Sequence, residues 1–300
     1  MPKAKFIATH RNYVFVANTL EDKSASITNV AYTSRVRFSH PGQPEDWRAL
    51  DYIDFEPGSG DAITGIASWN DRLLVFKNNA IFMLQGYDAD TFDVVNVSHT
   101  LGAVSQDAIA VTEQGVYFFS WPEGLHFFDG SRIHNVFYPL RPMVFDGTVN
   151  RAARAQIRVE LVKQRIWVSA PTGSSTVNSE TYVFDPLLQG GGGWTRYQFG
   201  GYGLGWGVEW QPPGEDAKWF AMWAGSSGTT MVELHKEQGY DEFVSGQQTA
   251  VVTRFQTPWV DLGNTALVKA WRRPVFVFRT KDPYTLFCQG YRDYDNTVAG

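Results

Sequence analysis

A two-part pattern that occurs twice within residues 63–130 limits the possible folds more than any other feature of the chain. The first copy runs Asp71-Arg72-Leu73-Leu74-Val75-Phe76, a corner Lys77-Asn78-Asn79, then Ala80-Ile81-Phe82-Met83-Leu84-Gln85-Gly86. The second runs Gly115-Val116-Tyr117-Phe118-Phe119-Ser120, a corner Trp121-Pro122-Glu123-Gly124, then Leu125-His126-Phe127-Phe128-Asp129-Gly130. Superposed without a gap, Gly86 falls on Gly130 and Leu73 on Tyr117, an offset of 44 residues (130 − 86). Each copy is a pair of short β-branched or aromatic runs joined by a polar or Gly/Pro corner, which specifies a β-hairpin. A further apolar run precedes each copy, at residues 63–68 and 108–112, so three strands follow one another as a meander.

The apolar runs show little alternation. An antiparallel strand of that kind is buried on both faces, and sheets stacked face to face provide such burial. A period of about 40 to 45 residues with this content is the size of a propeller blade. Further pairs follow at 165–170 with 181–185 and at 218–223 with 230–234, and residues 5–19 resemble half a meander. The expectation is an all-β chain: a β-propeller of about five or six meander blades over residues 1–249. A small C-terminal β segment, residues 250–300, packs on the propeller or closes it.

Composition agrees with many strands and tight corners, since 15% of residues are aromatic and there are 28 glycines and 14 prolines. Charged residues make up only 19%, which points to extensive burial or to assembly through part of the surface. A formal net charge of −5 with no local basic block argues against a dedicated grip on nucleic acid. The one cysteine, Cys288, excludes an internal disulfide framework and a multi-cysteine metal site, and reads as a half-buried strand residue. No apolar run has the length of a signal-peptide core or a membrane-spanning helix, so the expectation is a soluble chain made in a cytoplasm.

The search for chemistry yields no catalytic, cofactor-binding or metal residue. His10, His40, His99, His126, His134 and His235 stand in no metal-ligand frame, and His126 reads as a strand residue facing a neighbouring blade. Asp88, Asp90 and Asp93 lack the glycine and closing glutamate of a calcium loop and read as a solvated hairpin end. The glycines at 190–193 and at 200–201 lie between strands, with no helix to present amides to a phosphate. Asp61, Glu209 and Glu233 are the carboxylates considered for a glycosidase pair drawn from different blades, and nothing in their local sequence singles them out. The eleven tryptophans suit sugar stacking and suit inter-blade packing equally. The long loops 39–50 and 171–180 are the expected contact surfaces, because long loops on rigid scaffolds carry function.

An ordered series of motifs resembles a family of tailed-bacteriophage virion proteins, the β-propeller minor tail and tail-nozzle (DNA-stabilisation) type. The series begins with Ser34-Arg35-Val36-Arg37-Phe38-Ser39 and Pro41-Gly42-Gln43-Pro44-Glu45-Asp46-Trp47, then Ile63-Thr64-Gly65-Ile66 and the first hairpin. It continues through Leu101-Gly102-Ala103-Val104-Ser105, the second hairpin, Val183-Phe184-Asp185-Pro186 and Trp194-Thr195-Arg196-Tyr197, and covers about half the chain. The resemblance implies a propeller without catalysis or cofactors, assembled as a homo-oligomeric ring or trimer with other tail proteins in the virion. It also implies synthesis in the bacterial host cytoplasm, and passing DNA met without tight binding. The alternative reading is a lectin-like propeller in which tryptophans bind host-surface glycans.

Overall fold

The computed structural model describes residues 2–24, 26–188, 192–197, 203–225, 228–234, 241–243 and 247–249. These belong to one compact unit, Met1–Val252, while the expected C-terminal segment 250–300 and Cys288 lie outside the described residues. Antiparallel meanders follow in chain order. The first comprises β1 (Lys3–His10), β2 (Tyr13–Glu21), β3 (Val30–Phe38) and β4 (Tyr52–Asp54). The second is β5 (Ile63–Trp69), β6 (Arg72–Lys77), β7 (Ile81–Gln85) and β8 (Asp93–Ser98), and the third β9 (Ile109–Val111), β10 (Val116–Ser120), β11 (Gly124–Phe128) and β12 (Ile133–Asn135). A short helix, α1 (Pro142–Phe145), lies in the excursion before the fourth, which is β13 (Arg158–Val162), β14 (Arg165–Ala170), β15 (Glu180–Asp185) and β16 (Gly193–Tyr197). β17 (Gly203–Trp210), β18 (Lys218–Gly225) and β19 (Gly228–Leu234) form a three-stranded sheet, and β20 (Asp241–Phe243) pairs with β21 (Gln247–Thr249).

The sheets are the blades of a β-propeller. Each first strand touches the first strand of the next sheet, β1 to β5, β5 to β9, β9 to β13 and β13 to β17. The first strands are therefore the inner ones. The last strands of successive sheets make no comparable contact among the described residues, as expected where blades splay outward.

Middle strands explain why the hairpin runs do not alternate. Leu73 and Val75 of β6 face blade 1, where Phe15, Phe38 and Phe55 wait, whereas Leu74 and Phe76 face blade 3 and meet Val116 and Phe118. In β10 the alternate residues Tyr117 and Phe119 turn to blade 4, against Val159, Val168 and Phe184. Both faces of a middle strand are thus core. Aromatic pairs cross three of these joints: Phe55 with Phe82 at 5.5 Å, Phe76 with Phe118 at 5.5 Å and Tyr117 with Phe184 at 6.4 Å between ring centres.

The ungapped superposition of the two hairpins is half right. In the first, Lys77 N donates to Ala80 O and closes a two-residue turn at Asn78-Asn79. In the second, Ser120 pairs with Gly124 and leaves three residues between them. The extra residue shifts the leading strand by one, so Leu73 corresponds to Val116, not Tyr117, and Lys77 to Ser120 (120 − 77 = 43). A one-residue slip exchanges the two faces of a strand, and blade-to-blade packing settles the register.

The crossovers between blades are also built in. Residues 101–105 run from blade 2 into blade 3, with Ala103 N donating to Lys77 O at 2.9 Å, Val104 N to Phe119 O at 3.1 Å and Gly102 N to Ser120 Oγ at 3.3 Å. Asp61, in the preceding crossover, accepts from Asn78 N, Asn78 Nδ2 and Asn79 N at 2.8–3.2 Å. Lys77 is fully buried beneath it and donates to Ser34 Oγ, Glu56 O and Ser59 Oγ at 3.0–3.2 Å. Burial pulls the Lys77 ammonium below its ordinary pKa, with Asp61 and Glu56 opposing.

A Cβ at Gly102 would lie under 3.0 Å from backbone atoms of Lys77 and Asn78. Gly102→Ala is therefore expected to destabilise the protein by about 1–3 kcal/mol through overpacking. Urea unfolding checks this, and an unchanged midpoint would contradict the crossover geometry.

Candidate functional site

The most chemically distinctive place in the described residues is at the inner edges of blades 3 to 5. Among the described residues β17 pairs with β18 alone, and on its other side the Gly207 N–H donates to Glu160 Oε1 at 3.1 Å. Glu160 comes from β13, the inner strand of the adjacent blade, and seals a backbone group that a sheet edge would leave open. Gly207 permits the approach. A Cβ there would fall under 3.0 Å from both the Trp219 ring and Glu160 Oε2. Trp219 is stacked on Trp167 of blade 4 at 6.4 Å, so the carboxylate lies beside a rigid aromatic joint.

The same device appears two joints earlier, between blades 2 and 3. The Gln106 side chain holds both backbone groups of Ile66 on β5, accepting from its N–H at 2.8 Å and donating to its carbonyl at 3.0 Å. Inner edges are thus fastened by amide or carboxylate side chains reaching from the next or preceding blade.

A cleft of about 280 Å³ opens here between β9, β13 and β17, with Glu160, Glu209 and Trp219 in its lining. Glu209 stands two residues beyond Gly207 on the same face of β17 and is exposed, as are its neighbours Val208 and Trp210, the last 54% accessible. Burial raises the Glu160 carboxyl above its ordinary pKa, against the opposing Gly207 N–H and Arg158, while Asp107 adds to the rise. Arg158 itself pairs with Asp107 at 3.2 Å. The cleft offers hydrogen-bond acceptors and an apolar wall.

The other carboxylates considered from the sequence do not join it. Asp61 is committed to the Asn78-Asn79 turn in the crossover from blade 1 to blade 2, and the Glu233 side chain lies outside the described residues. Asp88 accepts from Thr91 N and Oγ1 within its own turn, and Asp93 accepts from Gln85 Nε2 at 3.3 Å. No group of three His, Cys, Asp or Glu that holds a metal ion occurs among the described residues. His126 is buried in β11 and stacks on Phe118 at 5.6 Å, while His235, Gly190 and Gly200 lie outside the described residues. Glu160 itself escaped the sequence search because Arg158-Val159-Glu160-Leu161-Val162 reads as an ordinary alternating strand. Its one signal is a carboxylate set within the short apolar run Val159, Leu161 and Val162.

The two candidate contact loops lie at opposite ends of the blades. Residues 39–51 connect β3 to β4 beside the β1–β2 turn, with Gly42 N donating to Asn12 O at 2.8 Å, and they expose Leu50. Residues 171–179 connect β14 to β15 at the crossover end. There Asn150 N donates to Pro171 O and Asn150 Nδ2 to Ser175 O, both at 2.8 Å.

Blade 1 carries a motif residue in an unusual setting. The Arg35 guanidinium lies 4.0 Å from the Tyr32 ring centre and 3.8 Å from that of Tyr52, bonds both oxygens of Asp54, and pairs with Glu21 at 3.3 Å. Arg37 pairs with the same Glu21 at 3.2 Å. These bonds hold the Arg35 charge firmly protonated.

No family model matches the chain, and no curated protein matches it. Among solved structures, the N-terminal domain of Nup159 is similar at 11% identity over 78% of this chain, with a TM-score of 0.43, and this chain spans 61% of its length. A complex from S. cerevisiae of dbp5 with nup159, gle1, ip6 and adp is similar at 10% identity, over 78% of this chain and 75% of that one, with a TM-score of 0.31.

Because the folded-state pKa of Glu160 lies above its unfolded value, the native protein binds more protons than the unfolded one between those two values. Stability from this group is lost as pH rises through the folded pKa. Glu160→Gln keeps an acceptor for Gly207 N–H without the charge. The expected outcome is a variant at least as stable as the parent at pH 7, its advantage shrinking toward pH 4.5, measured by thermal unfolding across pH. A variant clearly less stable at pH 7 would show that the charge itself holds the joint.

Proposed function

We propose that the chain is a structural subunit of a tailed-bacteriophage tail end, a rigid propeller that assembles with copies of itself and with other tail proteins. One observation carries the reading: of the ordered motifs that resemble the phage family, residues 63–66, 101–105 and 183–186 with Trp194 fall on the joints between blades. Gly102 and Ala103 fasten a crossover to the Lys77 turn. Trp194 donates its indole N–H to Val136 O at 2.9 Å and packs on Phe137 and Phe184, fixing the excursion before blade 4. Such a frame serves mechanics. It holds receptor-binding parts in place or surrounds passing DNA, and a net charge of −5 disfavours tight hold on phosphates.

Large apolar side chains at the blade ends support an assembling subunit. Leu50, Tyr87, Tyr138 and Leu187 are all exposed on turns or loops, and permanent subunit interfaces are richer in such residues than ordinary surface. A ring requires heterologous contacts that close.

A carbohydrate-binding propeller is the second reading, favoured by Trp210. Its exposed indole packs on Phe220 at 6.1 Å between ring centres, on the face of β17 opposite Glu209, and leaves ring surface open for a sugar. Glycan-array binding lost on Trp210→Ala would promote it.

Native mass spectrometry of the purified chain, alone and with candidate tail proteins, tests the leading proposal. A defined ring or trimer, or a stable complex with a tail protein, is expected. A monomer that joins nothing at high concentration would overturn it.

A further inference from the structure

Two imidazoles are buried at successive blade joints, and neither serves the cleft or the crossovers. His10 ends β1, is 4% accessible, and its Nδ1 lies 2.8 Å from Ser68 Oγ on β5 of the next blade. Phe15 packs 6.2 Å away on the blade side. His126, in β11, is 2% accessible, donates from Nδ1 to Gly124 O at 3.0 Å and lies nearly parallel to Phe118, on the face that blade 3 presents to blade 2. One histidine thus belongs to the joint of blades 1 and 2 and the other to the joint of blades 2 and 3.

The charged groups around them are few. Arg11 adjoins His10, while Asp71, from the β5–β6 turn, counters with its carboxylate and its backbone carbonyl. Glu123 from the β10–β11 turn and Arg141 from the excursion before blade 4 act on His126 in opposite directions, and Glu123 and Arg141 are already paired to each other at 2.7 Å. In both cases burial is the largest influence and pulls the imidazole below its ordinary pKa, so each stands neutral in the native protein.

We propose that these two histidines form an acid-sensitive pair of joints: protonation of His10 and His126 loosens blade 1 from blade 2 and blade 2 from blade 3 while the sheets themselves stay paired. A charge at either position must leave an apolar or already satisfied environment, and the nearest route to water is separation of the blades. The sign follows from linkage. An unfolded or opened histidine takes its proton near pH 6.5 and the closed one at lower pH, so closure is lost as pH falls through 6.5 toward the native value. Ordinary carboxylates titrate near pH 4, below this window, and Glu160 acts with the opposite sign. Such a device lets a rigid platform relax in a mildly acidic compartment, a property separate from the tail-end proposal.

Hydrogen–deuterium exchange at pH 7.5 and 5.0, corrected for intrinsic rates, tests it in the full chain. Severalfold loss of protection at pH 5.0 is expected in the parent at the amides that bond across the joints, Asn78 and Asn79 to Asp61, Ile66 to Gln106 and Ala103 to Lys77, while the sheet-paired amides of β6 and β10 stay protected. No such loss is expected in His10→Asn/His126→Asn, where an amide replaces the Nδ1 hydrogen bond. Equal protection at both pH values in the parent, or the same acid loss in the double variant, would overturn the proposal. Should the variant fail to fold, NMR titration of the parent decides. Both imidazoles titrating below 6.5 supports the device, and either one at 6.5 or above overturns it.

Discussion

The middle strands of each blade must be buried on both faces, and the rest of the fold follows from that requirement. Leu73-Leu74-Val75-Phe76 has no solvent side, so β6 needs a sheet against each face. Blade 1 supplies one and blade 3 the other, and the same holds for β10 between blades 2 and 4. Burial of this kind contributes roughly 1.5–3 kcal/mol per large apolar side chain relative to leaving it exposed. An isolated meander with two apolar faces would have no comparable way to cover them. Stacking is therefore the condition for each blade to exist at all, which is why the joints carry so much specific chemistry: Gln106 on Ile66, Glu160 on Gly207, Lys77 under the 56–61 crossover.

The architecture was largely legible because hairpins announce themselves by apolar runs and corners. Where the reading slipped, physical causes are visible. The ungapped superposition missed a one-residue difference in turn length, since nothing in Lys77-Asn78-Asn79 or Trp121-Pro122-Glu123 states how many residues stay unpaired. β8 and β12 went unread because outer strands are short or solvent-exposed, and Asp93, Asn96 and Asn135 look like loop residues. β17 was hidden by Gly203, Gly205 and Gly207, of which Gly207 leaves room for a tryptophan and a glutamate from two directions. The excursion with α1 has no repeat counterpart, yet it delivers Phe137, Val144 and Val149 to the core between blades 3 and 4.

The candidate site was less legible than the frame. A cleft at the inner edges takes its residues from β9, β13, β17 and β18, and no local spacing foretells that Glu160 meets Gly207 across 47 positions. Glu209 was considered from the sequence for catalysis alongside Asp61, which turns out to be engaged by the Asn78-Asn79 turn. The two candidate contact loops lie at opposite ends of the blades, an arrangement that suits a subunit with different neighbours above and below.

A double-mutant cycle on Phe76 and Phe118 reaches the core claim most directly, that alternate residues of a middle strand belong to different neighbouring blades. The two rings, one from blade 2 and one from blade 3, should couple by about 0.5–1.5 kcal/mol on truncation to leucine, measured by urea unfolding. Phe76 paired with Phe119, which faces blade 4, should couple negligibly. Equal coupling in both cycles, or none in the first, would contradict the assignment of faces on which the whole account stands.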